Sequence, residues 1–73
     1  MIRLKVKEIA EQQGFSQSKL SRKADVDLTT LRKIYQQPTT ANVTIETLDR
    51  LAKALEVDIR ELLESIPDED KDE

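Results

Sequence analysis

The sequence predicts an all-α fold, a compact bundle of about five short helices that contains a helix-turn-helix. Three observations lead to this prediction. Apolar residues recur at helical spacing along most of the chain, and short polar breaks separate the periodic segments. Residues that cap helices well stand directly before several of these segments. Residues 16–36 contain two short helical patterns about three residues apart, which is the spacing of a helix-turn-helix.

Length and composition exclude several classes of protein. A chain of 73 residues predicts one small domain, residues 1–66, followed by an acidic, disordered tail at 67–73. His and Cys are absent, so the chain offers no disulfide, lacks the commonest soft metal ligands and has no imidazole base. No apolar run approaches the roughly 20 residues of a membrane span. We therefore expect a soluble, cytoplasmic protein that is not an enzyme and uses no cofactor.

The first helix is predicted over about residues 5–13, with Gly14 as its C-cap. The residues before it alternate between apolar and polar types and are expected to be extended. Ile2 and Leu4 in this stretch either form a contact between two copies of the chain or lie beside the last helix. Phe15 follows the glycine and is expected to pack in the core.

The second helix begins after Ser16, whose hydroxyl can accept a backbone N–H of the first turn, and it ends near Ala24. Asp25 tolerates the left-handed backbone that a sharp turn needs. Val26 can fill the angle between the two helices, and Asp27 can cap the next one. These residues predict a tight turn between two helices.

The third helix is predicted over residues 28–36 and has two chemically different sides. One side is apolar and faces inward: Leu31, Ile34 and Tyr35. The other side is polar and cationic: Thr29, Arg32, Lys33 and Gln36. Such side chains read base edges and phosphates in a major groove, although an ordinary solvated face has a similar composition. The preceding helix and turn favour the first interpretation.

The stretch S-Q-S-K-L-S-R-K-A-D-V-D-L-T-T-L-R-K-I resembles the helix-turn-helix of the Cro/cI-type repressor family. The matching positions are Ser16-Gln17, Leu20-Ser21, Ala24, Val26 and Asp27. Further along, I-E-T-L-D-R-L-A-K-A-L-E-V resembles the fourth helix of that family, so the similarity covers roughly residues 6–63. The chain departs from the family pattern at Asp25 and at Gln37-Pro38, where Gly is usual, and at Tyr35, where Glu is usual.

The resemblance implies a sequence-specific regulator of transcription, of the repressor type, that binds double-stranded DNA. The residues it places at base edges are Leu28, Thr29, Arg32, Lys33 and Gln36. Those it places at the DNA backbone are Ser16, Gln17, Lys19, Arg22 and Thr30, with Thr39, Thr40 and Asn42 of the following loop. Leu28 stands where a polar residue is commoner and could touch a thymine methyl. The loop could equally be a plain connector.

Two further helices complete the predicted bundle. Thr44 is expected to cap a core-forming fourth helix that extends to about Leu55. Asp58 and Glu61 resemble a capping box and predict a last short helix over residues 59–66, which Pro67 would end.

Charge is distributed unevenly along the chain. Residues 1–37 carry eight Lys/Arg against four Asp/Glu, a net charge of +4, whereas residues 38–66 carry −3 and residues 67–73 carry −4. A basic front suits a partner rich in phosphate even though the total is −3, but chance can also produce an asymmetry of this size. The acidic segment is expected to be a solubilising tail, and the alternatives are that it screens the basic face or binds a basic partner.

A homodimer is expected on DNA, because one recognition helix reaches only a few base pairs. Ile2, Leu4 and Ile66 are the apolar residues left over for the contact. The alternative function is a helix-turn-helix domain that binds protein, such as an antitoxin-like subunit. The acidic total charge favours that alternative, whereas Arg32 and Lys33 on the exposed face oppose it.

Overall fold

The structure, a computed structural model, describes residues 1–39 and 42–67, and within them it contains four α-helices and a two-stranded antiparallel sheet. The elements follow in the order β1 (Ile2–Leu4), α1 (Val6–Gln12), α2 (Gln17–Ala24), α3 (Leu28–Gln36), α4 (Ile45–Leu55), a 3-10 helix (Ile59–Leu62) and β2 (Leu63–Ser65). The first four predicted helices are confirmed. Thr40 and the expected disorder of segment 68–73 lie outside the described residues.

One cluster of apolar side chains forms the core, to which every helix and β1 contribute. Its fully buried large members are Val6, Leu20, Leu31, Ile34, Leu51, Leu55 and Leu62. No polar or charged residue in the described part of the chain is buried with them. Each such side chain contributes about 1.5–3 kcal/mol by leaving water, so apolar burial is what holds the helices together.

The predicted fifth helix over residues 59–66 is wrong, and the fold is therefore not purely α-helical. A single 3-10 turn is followed by β2, which pairs antiparallel with β1 in the register Ile2↔Ser65, Arg3↔Glu64 and Leu4↔Leu63. The spacing of the apolar residues in 59–66 fits a continuous helix, but it also fits one helical turn followed by a strand. Pairing is preferred because the extended N-terminal residues supply backbone partners, such as the Met1 carbonyl that accepts from the Ile66 N–H at 2.7 Å.

The sheet also changes the set of residues available for a contact between copies. Leu4 is only 5% exposed and belongs to the core, so its predicted role in a dimer contact is wrong. Its N–H donates to the Pro38 carbonyl at 2.8 Å, which ties the sheet to the end of α3. Ile2 is 50% exposed and Ile66 is half-buried, and although both lie at the same end of the sheet, the register puts their side chains on opposite faces.

Three helices end with the same backbone motif. Gly14, Asp25 and Glu56 follow α1, α2 and α4 with φ of 78°, 57° and 58°. In each case the N–H of the next residue bonds back to a carbonyl five positions earlier, as in Phe15 to Ala10, at 2.9 to 3.0 Å. This is the Schellman arrangement, in which a left-handed residue ends the helix and the apolar residue after it packs inward. The expected left-handed backbone at Asp25 is confirmed, and Glu56 repeats it without a glycine.

The helix N-termini are capped as predicted in three of four positions. The Ser16 hydroxyl accepts from the Lys19 N–H at 3.2 Å, the Thr44 hydroxyl accepts from the Thr47 N–H, and the Asp58 carboxylate accepts from the Arg60 N–H. The predicted cap by Asp27 is wrong, because its side chain makes no capping hydrogen bond. Its backbone starts α3 from φ −56° and ψ 134°, so the adjoining turn alone sets the beginning of the helix.

An ion-pair cluster joins the sheet to α1. Arg3 on β1 donates through Nε to the Glu64 carboxylate on β2 at 2.8 Å and through a terminal nitrogen to Glu8 on α1. Partial burial alone would raise the pKa of Glu8, but the hydrogen bonds from Arg3 and from the backbone outweigh it and lower that pKa. The cluster therefore stabilises the fold most when Glu8 is ionised.

Replacing Glu8 by Gln should reduce the loss of stability on acidification. The ionised Glu8 stabilises the folded chain above its ordinary pKa of 4.5, and this contribution disappears as the pH falls through the lower folded value. Urea unfolding at pH 7 and pH 3 should show a loss smaller by about 0.5 kcal/mol in the variant, a modest figure because the pair is only half-buried and solvent screens it. Glu11→Gln, on the same helix, is the control. Equal losses of stability in the native chain, Glu8→Gln and Glu11→Gln would show that the ionised Glu8 does not stabilise the fold.

Replacing Glu56 by Gly should stabilise the protein. A side chain in left-handed backbone costs about 1–2 kcal/mol, and the extra entropy of an unfolded glycine offsets part of that gain. We expect a net gain of about 0.5 kcal/mol and a rise of a few degrees in Tm. Glu56→Ala keeps the strain and removes the same 3.8 Å contact to Lys23, so it should show no gain. A higher Tm for the Ala variant would show that the left-handed backbone is not the cause.

Candidate nucleic-acid interface

The turn between α2 and α3 is held from both sides. Val26 is buried in the core, and the Ser21 hydroxyl of α2 donates to its carbonyl. On the outside, Arg50 of α4 donates to the Asp25 carbonyl at 3.1 Å and to the Glu46 carboxylate at 3.1 Å. The turn thus fixes how α3 projects from the domain. Sequence reasoning missed Arg50, because only its spacing from Glu46 is visible in the sequence.

The outer side of α3 presents the predicted polar residues to solvent. Leu31 and Ile34 are buried, whereas the four residues predicted for the opposite side are all exposed: Thr29, Arg32, Lys33 and Gln36. We call these four the groove face. Leu28 and Thr30 flank it and are half-buried, so each presents only part of its side chain.

The cations of the groove face carry uncompensated charge. Neither α2 nor α3 contains an Asp or Glu. Within the described residues, neither Arg32 nor Lys33 takes part in an ion pair, and neither do the four other cations Lys5, Lys7, Lys19 and Arg22. The remaining cations of the described ranges are paired with carboxylates: Arg3, Lys23, Arg50, Lys53 and Arg60. An anion can therefore approach the groove face without displacing a carboxylate.

The residues predicted to contact the DNA backbone fall into two groups. Ser16, Gln17, Thr39 and Asn42 are exposed or half-buried at the start of α2 and in the loop after α3. Lys19 and Arg22 lie elsewhere on α2. At about 100° per residue they are rotated about 160° and 140° from Gln17. The structure therefore does not place these two cations on the side of α2 that carries Gln17.

Lys19 and Arg22 line a surface pocket of about 600 Å³ between α2 and the end of α1. Its lining consists of Gln13, Gly14, Phe15, Lys19, Arg22 and Lys23. The Lys23 ammonium lies 5.0 Å from the centre of the Phe15 ring, a cation–π distance, and 3.8 Å from the Glu56 carboxylate. We call this the α2 pocket. Sequence reasoning did not find it, because the pocket forms only when the turn at Gly14 brings Gln13 and Phe15 beside the cations of α2.

Tyr35 is half-buried beside the core, as predicted, and does not belong to the groove face. Its hydroxyl is buried and has no hydrogen-bond partner among the described residues. Burial raises the pKa of this phenol, and the nearby Glu11 carboxylate raises it further. The hydroxyl therefore stays protonated at neutral pH, and its role in the described fold is packing.

The described residues show no feature of a metal site or of a membrane span. No group of three or more Asp/Glu in the described ranges is placed to hold a metal ion. None of the helices described is long and apolar enough to cross a bilayer.

A helix-turn-helix with an exposed, uncompensated cationic helix defines the class of DNA-binding helix-turn-helix domains. The comparisons with known proteins agree with this class and also identify the family. The family model of the Cro/C1-type HTH DNA-binding domain matches residues 5–68, and the chain belongs to this family. The resemblance stated from the sequence is thereby confirmed.

Among solved structures, the chain is similar to the N-terminal DNA-binding domain of SinR from Bacillus subtilis. The two superpose with a TM-score of 0.72 at 29% sequence identity, over 80% of this chain and 83% of that one. No curated protein sequence matches the chain significantly.

Replacing Arg50 by Gln should loosen the turn between α2 and α3. The variant loses the bond to the Asp25 carbonyl, so amide hydrogen exchange at Val26 should accelerate. Because Arg50 is partly exposed, the loss of overall stability should be only about 0.5–1 kcal/mol. Lys53→Gln is the matched control, since it removes a 3.0 Å ion pair to Asp49 on the same helix without touching the turn. Equal exchange rates in the two variants would show that Arg50 does not hold the turn.

Proposed function

We propose that this chain is a sequence-specific regulator of transcription that places α3 in the major groove of double-stranded DNA. The observation that carries the proposal is the groove face, where two cations without ion-pair partners in the described chain stand beside an amide and a hydroxyl. A major groove about 12 Å wide admits a helix, and these donors match the acceptors on base edges and phosphates. Membership of a DNA-binding family supports the same partner.

Each proposed DNA contact follows from the position of its residue on α3, at the start of α2 or in the loop after α3. Arg32 and Lys33 would reach base edges or the flanking phosphates, with Thr29 and Gln36 beside them and Leu28 at a thymine methyl. Backbone contacts would come from Ser16, Gln17 and Thr30, and from Thr39 and Asn42 of the loop. Ser16 can still donate through its hydroxyl while its oxygen caps α2.

We assign a repressor that binds as a homodimer. A single recognition helix specifies too few base pairs to compete against a genome, so two copies would read half-sites roughly 34 Å apart. Repression is the role of the family that the sequence resembles. No cofactor enters the proposal.

The competing function is a domain that binds protein, such as an antitoxin-like subunit. The net charge of −3 favours it, as does the exposed Ile45 at the start of α4. A selection from random duplexes, read by sequencing, distinguishes the two. A regulator should enrich one motif, with two-fold symmetry, whereas a protein-binding domain should enrich none.

Replacing Arg32 and replacing Gln17 should weaken DNA binding in different ways. Arg32→Ala removes a donor of the groove face and should cost about 1–3 kcal/mol, with relaxed preference at one base pair of each half-site. Gln17→Ala removes a backbone contact and should weaken good and poor sites by the same factor. Binding curves on the selected site and on its single-base variants measure both effects. Loss of discrimination in the Gln17 variant would show that the roles are assigned wrongly.

A further inference from the structure

The α2 pocket is a concave cationic surface that the proposed DNA contacts do not use. Lys19, Arg22 and Lys23 line it, and no carboxylate is among its lining residues. Lys19 and Arg22 have no ion pair within the described ranges, and Lys23 has only an exposed contact of 3.8 Å to Glu56. The half-buried Phe15 ring forms an apolar part of the wall. A surface with these properties selects a short segment rich in carboxylates.

The pocket stays accessible when the groove face is occupied. None of its lining residues belongs to α3. Lys19 and Arg22 are rotated about 140–160° around α2 from Gln17, which marks the side nearest the proposed DNA. A ligand in the pocket is therefore compatible with DNA in front of α3.

The chain itself contains a segment of the required chemistry. Residues 68–73, D-E-D-K-D-E, carry five carboxylates and one amine, and they follow Pro67 at the end of the described chain. We propose that this acidic segment of one copy binds in the α2 pocket of a second copy, and that two copies exchange their segments reciprocally. Such an exchange is a closed, two-fold arrangement in which each pocket is filled.

The position of the segment favours a second copy over the same chain. Strand β2 runs antiparallel to β1, so Pro67 leaves the end of the sheet that is remote from α1. The pocket lies at the opposite end of α1, beside Gln13 and Gly14. Six residues span at most about 20 Å, so little of the segment would remain for the pocket if it first had to run along the sheet and α1 of its own chain.

The exchange also accounts for the apolar surface at the root of the segment. Ile2 is 50% exposed on one face of the sheet, and on the other face the half-buried Ile66 pairs with the exposed Met1, directly before Pro67. Docking of the segment brings this part of one copy against α2 of the other. The contact requires no DNA, so its test is independent of the proposed function.

The test mixes two forms of the 73-residue chain. The first is isotope-labelled and has an uncharged segment, made by Asp68→Asn, Glu69→Gln, Asp70→Asn, Asp72→Asn and Glu73→Gln. The second is the unlabelled native chain. The native copies should shift the labelled amide signals of the α2 pocket, and unlabelled copies of the uncharged form should not. Shifts of equal size at Lys5, Lys7 and the groove face would mean unspecific attraction and would overturn the proposal.

A dilution series of the labelled native chain decides which copy supplies the segment. Pocket signals should move with protein concentration, because the contact joins two molecules. Signals that differ from those of the uncharged form at every concentration, without changing on dilution, would mean that the segment docks on its own chain. That result would overturn the exchange.

Matched charge variants test the pocket itself. Lys19→Gln with Arg22→Gln should weaken the association by roughly 2- to 25-fold, since each of the two exposed pairs is worth roughly 1.5- to 5-fold and the two factors multiply. Lys5→Gln with Lys7→Gln removes the same charge from outside the pocket and should change the strength of the association by less than about two-fold. Circular dichroism verifies that both variants fold. If the pocket variant instead weakens DNA binding as much as Arg32→Gln with Lys33→Gln while the association persists, the pocket belongs to the DNA interface and the proposal fails.

Discussion

The short turn between α2 and α3 is the constraint on which the rest of the domain depends. A helix can end so abruptly because Asp25 adopts left-handed backbone and lets two N–H groups bond back to the last turn of α2. Val26 then points into the core, and burial of its side chain fixes the position where α3 begins. Leu31 and Ile34 are buried in the same core as Val26. Because these side chains hold the apolar side of α3 inward, the groove face on the opposite side of the helix points to solvent.

Ion pairing explains how a chain with a net charge of −3 can offer a cationic surface. Carboxylates of α4 neutralise cations of the same helix, as Glu46 does for Arg50 and Asp49 does for Lys53. The cations of α3 have no carboxylate on their own helix or on α2. The net charge therefore says little about the partner, because phosphates respond to the local potential within about 10 Å.

The sheet closes the domain and sets where its two ends lie. Two three-residue strands are too short to be stable alone, but Leu4 and Leu62 anchor them in the core, and Arg3 links them to Glu8 and Glu64. The bond from Leu4 to the Pro38 carbonyl connects this sheet to the end of α3. The fold thereby places Pro67 at the end of the sheet remote from α1, and the α2 pocket beside the C-terminal end of α1.

The sequence by itself determined the features that depend on neighbours within a few residues. The caps at Ser16 and Thr44, the left-handed Asp25 and the two sides of α3 are local properties, since a hydroxyl three residues from an N–H or an apolar pair at helical spacing acts within one turn. Only the tertiary structure decided that residues 63–65 form a strand, because their pattern suits either state and the choice depends on a partner some 60 residues earlier. The same applies to the burial of Leu4 and to the hydrogen bond from Arg50 to the Asp25 carbonyl. These contacts join segments that are distant in the chain, and packing of the common core brings them together.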